Sequence, residues 1–341
     1  MDIFEKYQKS FTEKAIQNGY SVDEINKCLN YAKPIIEKGF PIVYNTSHLS
    51  ALVGYNKKYL KRASASTSHF YKRHVIPKKN NKLRFLNEPL PSLKEIQYWV
   101  LQNILEKIQI SRYAKAYTAG RNIKDHVKYH KGQSFVLTLD IQDFFTNIKI
   151  EQINNLFLDL GYSIYVASLL AKLCCFDNSL PQGAPTSPRL SNIIMQSFDD
   201  IISIYCRDNN LRYSRYADDL AFSGTTINID ELKILIKFHL GLIGLKLNED
   251  KSMLMGKNQR QIISGIITNS KIQVPREKRD ELRQAMFFID KFGLDDHLNK
   301  IKCSKANYLK HLLGIANYIT FINPKDEKTI AIKKKLYDMD K

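Results

Sequence analysis

The spacing of apolar positions divides the chain into stretches of different period. Residues 1–50 carry apolar positions at helical spacing, punctuated by Pro34, Gly39 and Pro41, and are predicted to be helical. Ala63 to Ser68, a run of small and hydroxyl residues, reads as a loop. After Pro89 and Pro91, the positions Leu93, Ile96, Trp99, Val100, Ile104 and Leu105 recur every three or four residues and predict a helix. The period then changes. Ser134 to Asp140 is a nearly continuous apolar run with β-branched residues, the pattern of a buried strand that ends at a carboxylate. Further on, Ser187 suits a helix cap and Pro188 its first turn, ahead of one apolar stripe through Leu190, Ile193, Ile194, Phe198, Ile201 and Tyr205. Leu211 to Tyr216 and Leu220 to Ser223 read as two strands around Ala217-Asp218-Asp219, a hairpin with acids at its tip. A helix is predicted over 231–247, ending near Gly244, then a short strand over Gln261 to Thr268, and Pro275 opens a helical carboxy-terminal region. Strands alternating with helices in the middle, and helices at both ends, describe an α+β core with helical attachments.

Composition adds a partner class. The 341 residues suffice for two or three structural units, and 44% apolar with 11% aromatic residues excludes a disordered tail. Lys plus Arg number 52 against 34 Asp plus Glu, a formal charge of +18. The excess clusters. Lys57, Lys58, Lys61, Arg62, Lys72, Arg73, Lys78, Lys79, Lys82 and Arg84 follow one another without an Asp or Glu between Lys57 and Arg84. Tyr55, Tyr59, Phe70, Tyr71 and Phe85 are mixed with them, which suits phosphate neutralisation combined with base stacking; the alternative is a basic face serving solubility. A second set, Arg276, Lys278, Arg279 and Arg283, lies on a helical pattern among acids, and Lys333, Lys334 and Lys335 form a third. The five cysteines include no Cys-x-x-Cys pair, which argues against a disulfide framework or a four-thiolate zinc site. No apolar stretch approaches the roughly 18 residues needed to cross a bilayer, and Asp2, Glu5 and Lys6 interrupt any signal-peptide pattern. The expectation is a cytoplasmic protein with reduced thiols and no membrane partner.

Asp pairs alone mean little, and context separates the three present. Asp199-Asp200 falls inside a helix pattern and Asp295-Asp296 follows Gly293, so solvated faces or caps explain both. Asp218-Asp219 stands where a hairpin turn prefers Asn-Gly or Asp-Gly. If Asp140 at its strand end meets these two, like charges about 4 Å apart repel by about 4 kcal/mol per pair at an effective dielectric of 20. Divalent cations relieve that repulsion, and a pair of Mg²⁺ ions about 3.5 to 4 Å apart is the clamp for in-line phosphoryl displacement. The alternative is turn-forming acids with no catalytic task. Lys82 and Arg84, two apart in a predicted strand, share a face suited to phosphates, or are simply members of the basic cluster. Phe144 and Phe145 directly follow the strand and wall a sugar pocket or fill the core.

The residues Leu139-Asp-Ile-Gln-Asp-Phe-Phe145, Leu180-Pro-Gln-Gly-Ala-Pro-Thr-Ser-Pro188 and Tyr216-Ala-Asp-Asp219, in this order, resemble the polymerase motifs of reverse transcriptases. The likeness continues through Lys82-Leu-Arg84, Gly244-Leu-Lys-Leu-Asn248 with Lys251, and Val274-Pro-Arg-Glu-Lys-Arg279, covering about residues 70–290, and the bacterial retron type is the most similar. Retron enzymes usually carry Asn-Ala-x-x-His and Val-Thr-Gly where this chain has His126-Val-Lys-Tyr-His130 and Ile263-Ser-Gly265. The resemblance implies a right-hand polymerase fold: a helical extension over 1–56, fingers 57–133, palm 134–268 with 149–183 partly fingers, and a helical thumb 269–341. It implies that Asp140, Asp218 and Asp219 hold two Mg²⁺ ions with the Ile141 carbonyl as a further ligand. Lys82, Arg84, Asp143, Phe144, Phe145, Gln182 and Lys251 then serve the dNTP: Phe145 crowds a ribose 2′-OH and Lys251 protonates pyrophosphate. The nucleic-acid contacts are Lys57, Lys58, Lys61, Arg62, Lys72, Arg73, Lys78, Lys79, His130, Arg276, Lys278, Arg279 and Arg283. Retron enzymes prime from a 2′-OH in their own structured non-coding RNA, yield a branched RNA-DNA molecule, and work in phage defence, often beside an effector protein. The competing expectations are another bacterial reverse transcriptase, of intron or phage-exclusion type, and an RNA-binding scaffold or antitoxin with incidental catalysis.

Overall fold

The amino-terminal periodicity is realised as three helices, Ile3–Gln17, Val22–Glu37 and Thr46–Val53, in a computed structural model that describes residues 3–77, 83–302 and 307–339. A capping box starts the second helix: the Ser21 and Glu24 side chains satisfy each other's backbone N–H. Pro34 lies within that helix rather than ending it, and Gly39, left-handed at φ 79°, marks the stop. The helix Lys57–Ala65 and a 3₁₀ turn over Thr67–Phe70 replace the loop expected over 63–68, because Leu60, Ala63 and Phe70 are drawn into the core. Strands β1 (Tyr71–Pro77) and β2 (Leu83–Pro89) form an antiparallel ribbon. The helix Pro91–Asn103 begins at its proline as predicted, and its buried Gln97 donates to the Tyr71 hydroxyl and the Leu173 carbonyl, both at 2.8 Å. That amide ties the ribbon to the helix Ile164–Cys174, which is largely buried after its exposed first two residues.

Two helices, Ser187–Ile194 and Gln196–Asp208, stand where one was predicted. The interruption is the single residue Met195, whose N–H still donates to the Ser191 carbonyl at 3.1 Å. Ser187 is the first helical residue rather than the cap; Thr186 precedes it, and no side chain caps this end. Asp199 is fully buried, not on a solvated face.

A four-stranded sheet carries the central acids. Its strands are β3 (Phe135–Ile141), β4 (Arg212–Tyr216), β5 (Asp219–Gly224) and β6 (Leu247–Gly256), in the order β4-β5-β3-β6. The expected strand over 261–268 is instead a small hairpin of β7 (Ile262–Ile263) and β8 (Ile266–Ile267). Ser264 and Gly265 turn it with φ 45° and 78°, the pair of positive values a two-residue hairpin turn requires. Val136, Ala221 and Met255 of the sheet pack with Ile263 and Ile266 and with the helices Arg276–Phe292 and Tyr308–Ile322 through Leu282, Ile289, Ala316 and Ile319. The chain divides into two units, Met1–Thr118 with Ile141–Ile202 and Glu231–Leu247, and Ala119–Asp140 with Ser203–Asp230 and Asn248–Lys341. No helix among the described residues is long and apolar enough to cross a membrane.

Candidate active site

Strand register places the acids. Asp140, near the end of β3, faces Asp219 at the start of β5, and Tyr216 of β4 faces the same Asp219. Residues opposite one another in an antiparallel ladder project from one face with Cβ atoms about 4.5–5.5 Å apart, so the two carboxylates are neighbours. Asp218 sits between them and β4, second in a two-residue turn whose first residue, Ala217, is left-handed at φ 58°. Alanine there costs about 1–2 kcal/mol relative to a right-handed position. A strained, half-buried turn with two acids is a poor device for merely reversing the chain.

The charges interact. Burial, then Asp219, then Asp140 push the Asp218 carboxyl up to about 6. Burial and Asp140 raise Asp219 as well, against the opposing effect of a hydrogen bond from Ser264. Lys251, from β6, supplies a cation: its Nζ donates to both Asp140 oxygens at 2.9 and 2.8 Å. Burial acts to lower the lysine pKa, but the Asp140 hydrogen bond and the three carboxylates outweigh it and leave it raised. The Ser264 hydroxyl, at the tip of the β7–β8 turn, donates to Asp219 Oδ2 at 2.9 Å.

This donor set suits a hard divalent cation, which takes carboxylate oxygens and relieves the repulsion that raises Asp218 and Asp219. Among the described residues no three His, Cys, Asp or Glu side chains converge into a ready-made cage, and one Asp140 face is taken by Lys251. The Ile141 residue is buried at the end of β3.

The first unit gathers a second set. A cleft of about 250 Å³ is lined by Arg73, Arg84, Phe85, Asp143, Thr146 and Gln182, among others. The Arg73 guanidinium lies 4.2 Å over the Phe85 ring. Asp143 is left-handed at φ 44° and makes no capping bond, so its carboxylate is available to the cleft. The Gln182 carbonyl accepts the Asn87 N–H at 2.7 Å, which fixes the Pro-Gln-Gly turn against β2. A Cβ on Gly183, which has φ 123°, would meet the Asn87 carbonyl oxygen at 2.8 Å; glycine is required there. Phe145 is half-buried beside Tyr117, whose ring centroid is 6.2 Å away.

Several expected contacts are placed elsewhere. Phe144 is buried at 3% exposure and packs in the core rather than lining the cleft. His130 is fully buried, with Nδ1 hydrogen-bonded to the Ser223 hydroxyl and Nε2 to the Ser214 hydroxyl, both at 2.8 Å, while His126 Nδ1 meets Ser214 at 2.7 Å. It braces β4 against β5 and is sequestered from any external strand. Of the aromatics expected to stack on bases, Tyr55 packs on Tyr59, Tyr59 and Phe70 pack edge-on and Tyr71 packs on Phe176, leaving Phe85 exposed. Lys78, Lys79 and Lys82 lie outside the described residues. Lys57, Lys58, Lys61 and Arg62 are exposed on their helix, and Lys72 and Arg73 on β1. Among the carboxy-terminal cations, Arg276 pairs with Asp280 at 3.2 Å, Arg279 with Asp326 at 3.6 Å, and Arg283 with Asp280. Lys278 lies 5.7 Å over the Tyr318 ring.

Sequence reasoning missed Ser264 and the Asp140–Lys251 ion pair. The Ser-Gly dipeptide is itself a turn signal within the apolar run Ile262 to Ile267, and reading it would have exposed the hairpin.

The family described as reverse transcriptase (RNA-dependent DNA polymerase) matches residues 76–311 of the chain. The retron Ec86 reverse transcriptase of Escherichia coli is 29% identical over 301 residues, 86% of this chain and 89% of that protein. The retron Mx65 reverse transcriptase of Myxococcus xanthus is 28% identical over 320 residues, 87% and 73% of the two chains. The retron Ec83 reverse transcriptase of Escherichia coli is 30% identical over 264 residues, 72% and 82%. Among solved structures, a Candida albicans telomerase in complex with a fragment of telomeric RNA overlaps 78% of this chain and 63% of its own, at 11% identity and a TM-score of 0.46. That last likeness is too loose to carry an assignment.

Proposed function

Because the chain belongs to the reverse transcriptase family, and within it to the retron type, and is thus an RNA-directed DNA polymerase with a right-hand fold, we propose that it copies part of a cognate structured non-coding RNA. Synthesis starts from an internal 2′-OH of that RNA and gives a branched RNA-DNA product. The similarity to several retron enzymes over most of both lengths supports this choice within the family. The setting is the cytoplasm, and the role is phage defence beside an effector protein that the complex restrains.

The observation that carries the chemistry is the register of Asp140 with Asp219, beside Asp218 at the turn. Asp140, Asp218 and Asp219, with the Ile141 carbonyl, would hold two Mg²⁺ ions, which supply charge stabilisation to the attacking and leaving oxygens of phosphoryl transfer. The protein's own part is placement. Arg84 and Lys82 grip the triphosphate, Asp143 and Gln182 orient the nucleotide, and Phe145 crowds a 2′-OH. Lys251 holds its proton above the ordinary lysine range, a reservoir for the departing pyrophosphate. The basic helix Lys57–Ala65 holds template phosphates, and Arg276, Lys278, Arg279 and Arg283 the hybrid. On this reading residues 1–56 are an extension, 57–133 fingers, 134–268 palm with 149–183 shared with the fingers, and 269–341 thumb.

The test is to purify the protein, treat its bound nucleic acid separately with RNase and DNase, and extend the recovered RNA with dNTPs, with Mg²⁺ present or chelated. A short 2′,5′-branched RNA-DNA species made only with Mg²⁺ is expected. Copurification of a long intron RNA, or of untemplated DNA, overturns the retron-specific part.

A further inference from the structure

We propose that Ser264 is a positioning residue for Asp219: the turn between β7 and β8 holds one carboxylate oxygen of Asp219 and thereby aims the other at the cation site. The inference rests on the reading of Asp219 as a metal ligand.

The geometry is specific at each step. Ile263 and Ile266, the residues flanking the turn, are 1% and 0% exposed within the hydrophobic cluster beneath the sheet, so the hairpin is anchored from below. Their burial fixes where the two turn residues project. Ser264 takes a left-handed backbone at φ 45°, a conformation that a serine adopts at a cost and that glycine or asparagine adopts more readily. If the turn alone mattered, glycine would serve better at that position. The serine hydroxyl instead donates to Asp219 Oδ2 at 2.9 Å across 45 residues of sequence. A hydrogen bond to an ionised acceptor is stronger than a neutral one and directional, so it restricts carboxylate rotation. Asp140 is held differently, by the ammonium of Lys251 on both oxygens. An ammonium at that distance competes with a divalent cation for the carboxylate. A hydroxyl on one oxygen does not compete for the other. Asp219 is therefore the carboxylate presented ready for an ion, and Ser264 is the group that presents it. Hydrogen-bond partners of metal-binding carboxylates act in this way generally.

The experiment uses full-length protein and three variants. Ser264→Gly removes the hydroxyl while suiting the left-handed turn, Ser264→Thr keeps a hydroxyl, and Asp219→Asn tests the site itself. Mn²⁺ binding is followed by the electron paramagnetic resonance signal of free Mn²⁺ without nucleotide or nucleic acid, and kcat and KM for dNTP are measured on a primed RNA template. Ser264→Gly is expected to weaken Mn²⁺ binding and lower kcat, each about tenfold, with KM for dNTP and the melting temperature unchanged. Ser264→Thr restores most of both. If Asp219→Asn leaves Mn²⁺ binding intact, the assignment of the site fails and the inference falls with it. If Asp219→Asn abolishes binding but Ser264→Gly matches the parent protein, the positioning role alone is refuted. A loss confined to template affinity also refutes it, and assigns the hairpin to the nucleic acid.

Discussion

On the proposed function, Asp218 is the residue at which stability and chemistry pull in opposite directions. Burial and two neighbouring carboxylates raise it to about 6, so in the metal-free protein its charge is a net cost to the fold. Asp218→Asn is accordingly expected to raise the melting temperature in chelator, by roughly 2 °C, while lowering primer extension about 10³-fold or more. Calorimetry and a single-nucleotide extension assay read the two effects. Lys251→Met is expected to lower kcat about 10²-fold with KM for dNTP little changed, as loss of a proton donor does. A normal kcat in a quench-flow measurement would confine Lys251 to balancing Asp140. The three acids were legible in the sequence because Asp140 stands near the end of one apolar strand and Asp219 begins another, where the period changes, and Asp218 fills the turn beside Asp219. Their partners were not. Lys251 lies 111 residues from Asp140 and Ser264 lies 45 from Asp219, and contacts at such separations leave no trace in local spacing.

At the scale of elements, periodicity identified β3, β4, β5 and the helices Pro91–Asn103 and Arg276–Phe292. It failed where a helix is briefly interrupted or where a turn is compressed. A one-residue interruption at Met195 divides one predicted helix into two, and Ser264-Gly265 folds one predicted strand into a hairpin. The contact between the Pro-Gln-Gly turn and β2 is a third such feature, visible only when Asn87 and Gly183 meet. Gly183→Ala is expected to destabilise the protein by about 2–3 kcal/mol, since it joins an unfavourable φ to a steric clash with backbone. Urea denaturation checks it; a change below about 0.5 kcal/mol would show that the turn can move away from β2.

For the molecule as a whole, the +18 charge is less informative than where that charge is compensated. Arg276, Arg279 and Arg283 already face Asp280 or Asp326, whereas Lys57, Lys58, Lys61 and Arg62 enter none of the ion pairs found among the described residues. Lys57 and Lys58 also occupy the first turn of their helix, where the backbone dipole disfavours cations. A bound polyanion explains that placement better than folding does. Replacing those four by Ala is expected to flatten the log-log salt dependence of RNA affinity by about 2–3 units, and replacing the three arginines by less than about 1. Filter binding across a salt series distinguishes them, and equal changes would mean that the arginines leave their acids on binding. The buried His130 has its own consequence for genetics. A screen that scores RNA selectivity would record His130→Ala as a defect in recognition, although the change removes a brace between β4 and β5 and acts through how much intact enzyme a cell accumulates. Immunoblots run beside such a screen would show the band fading along with the phenotype.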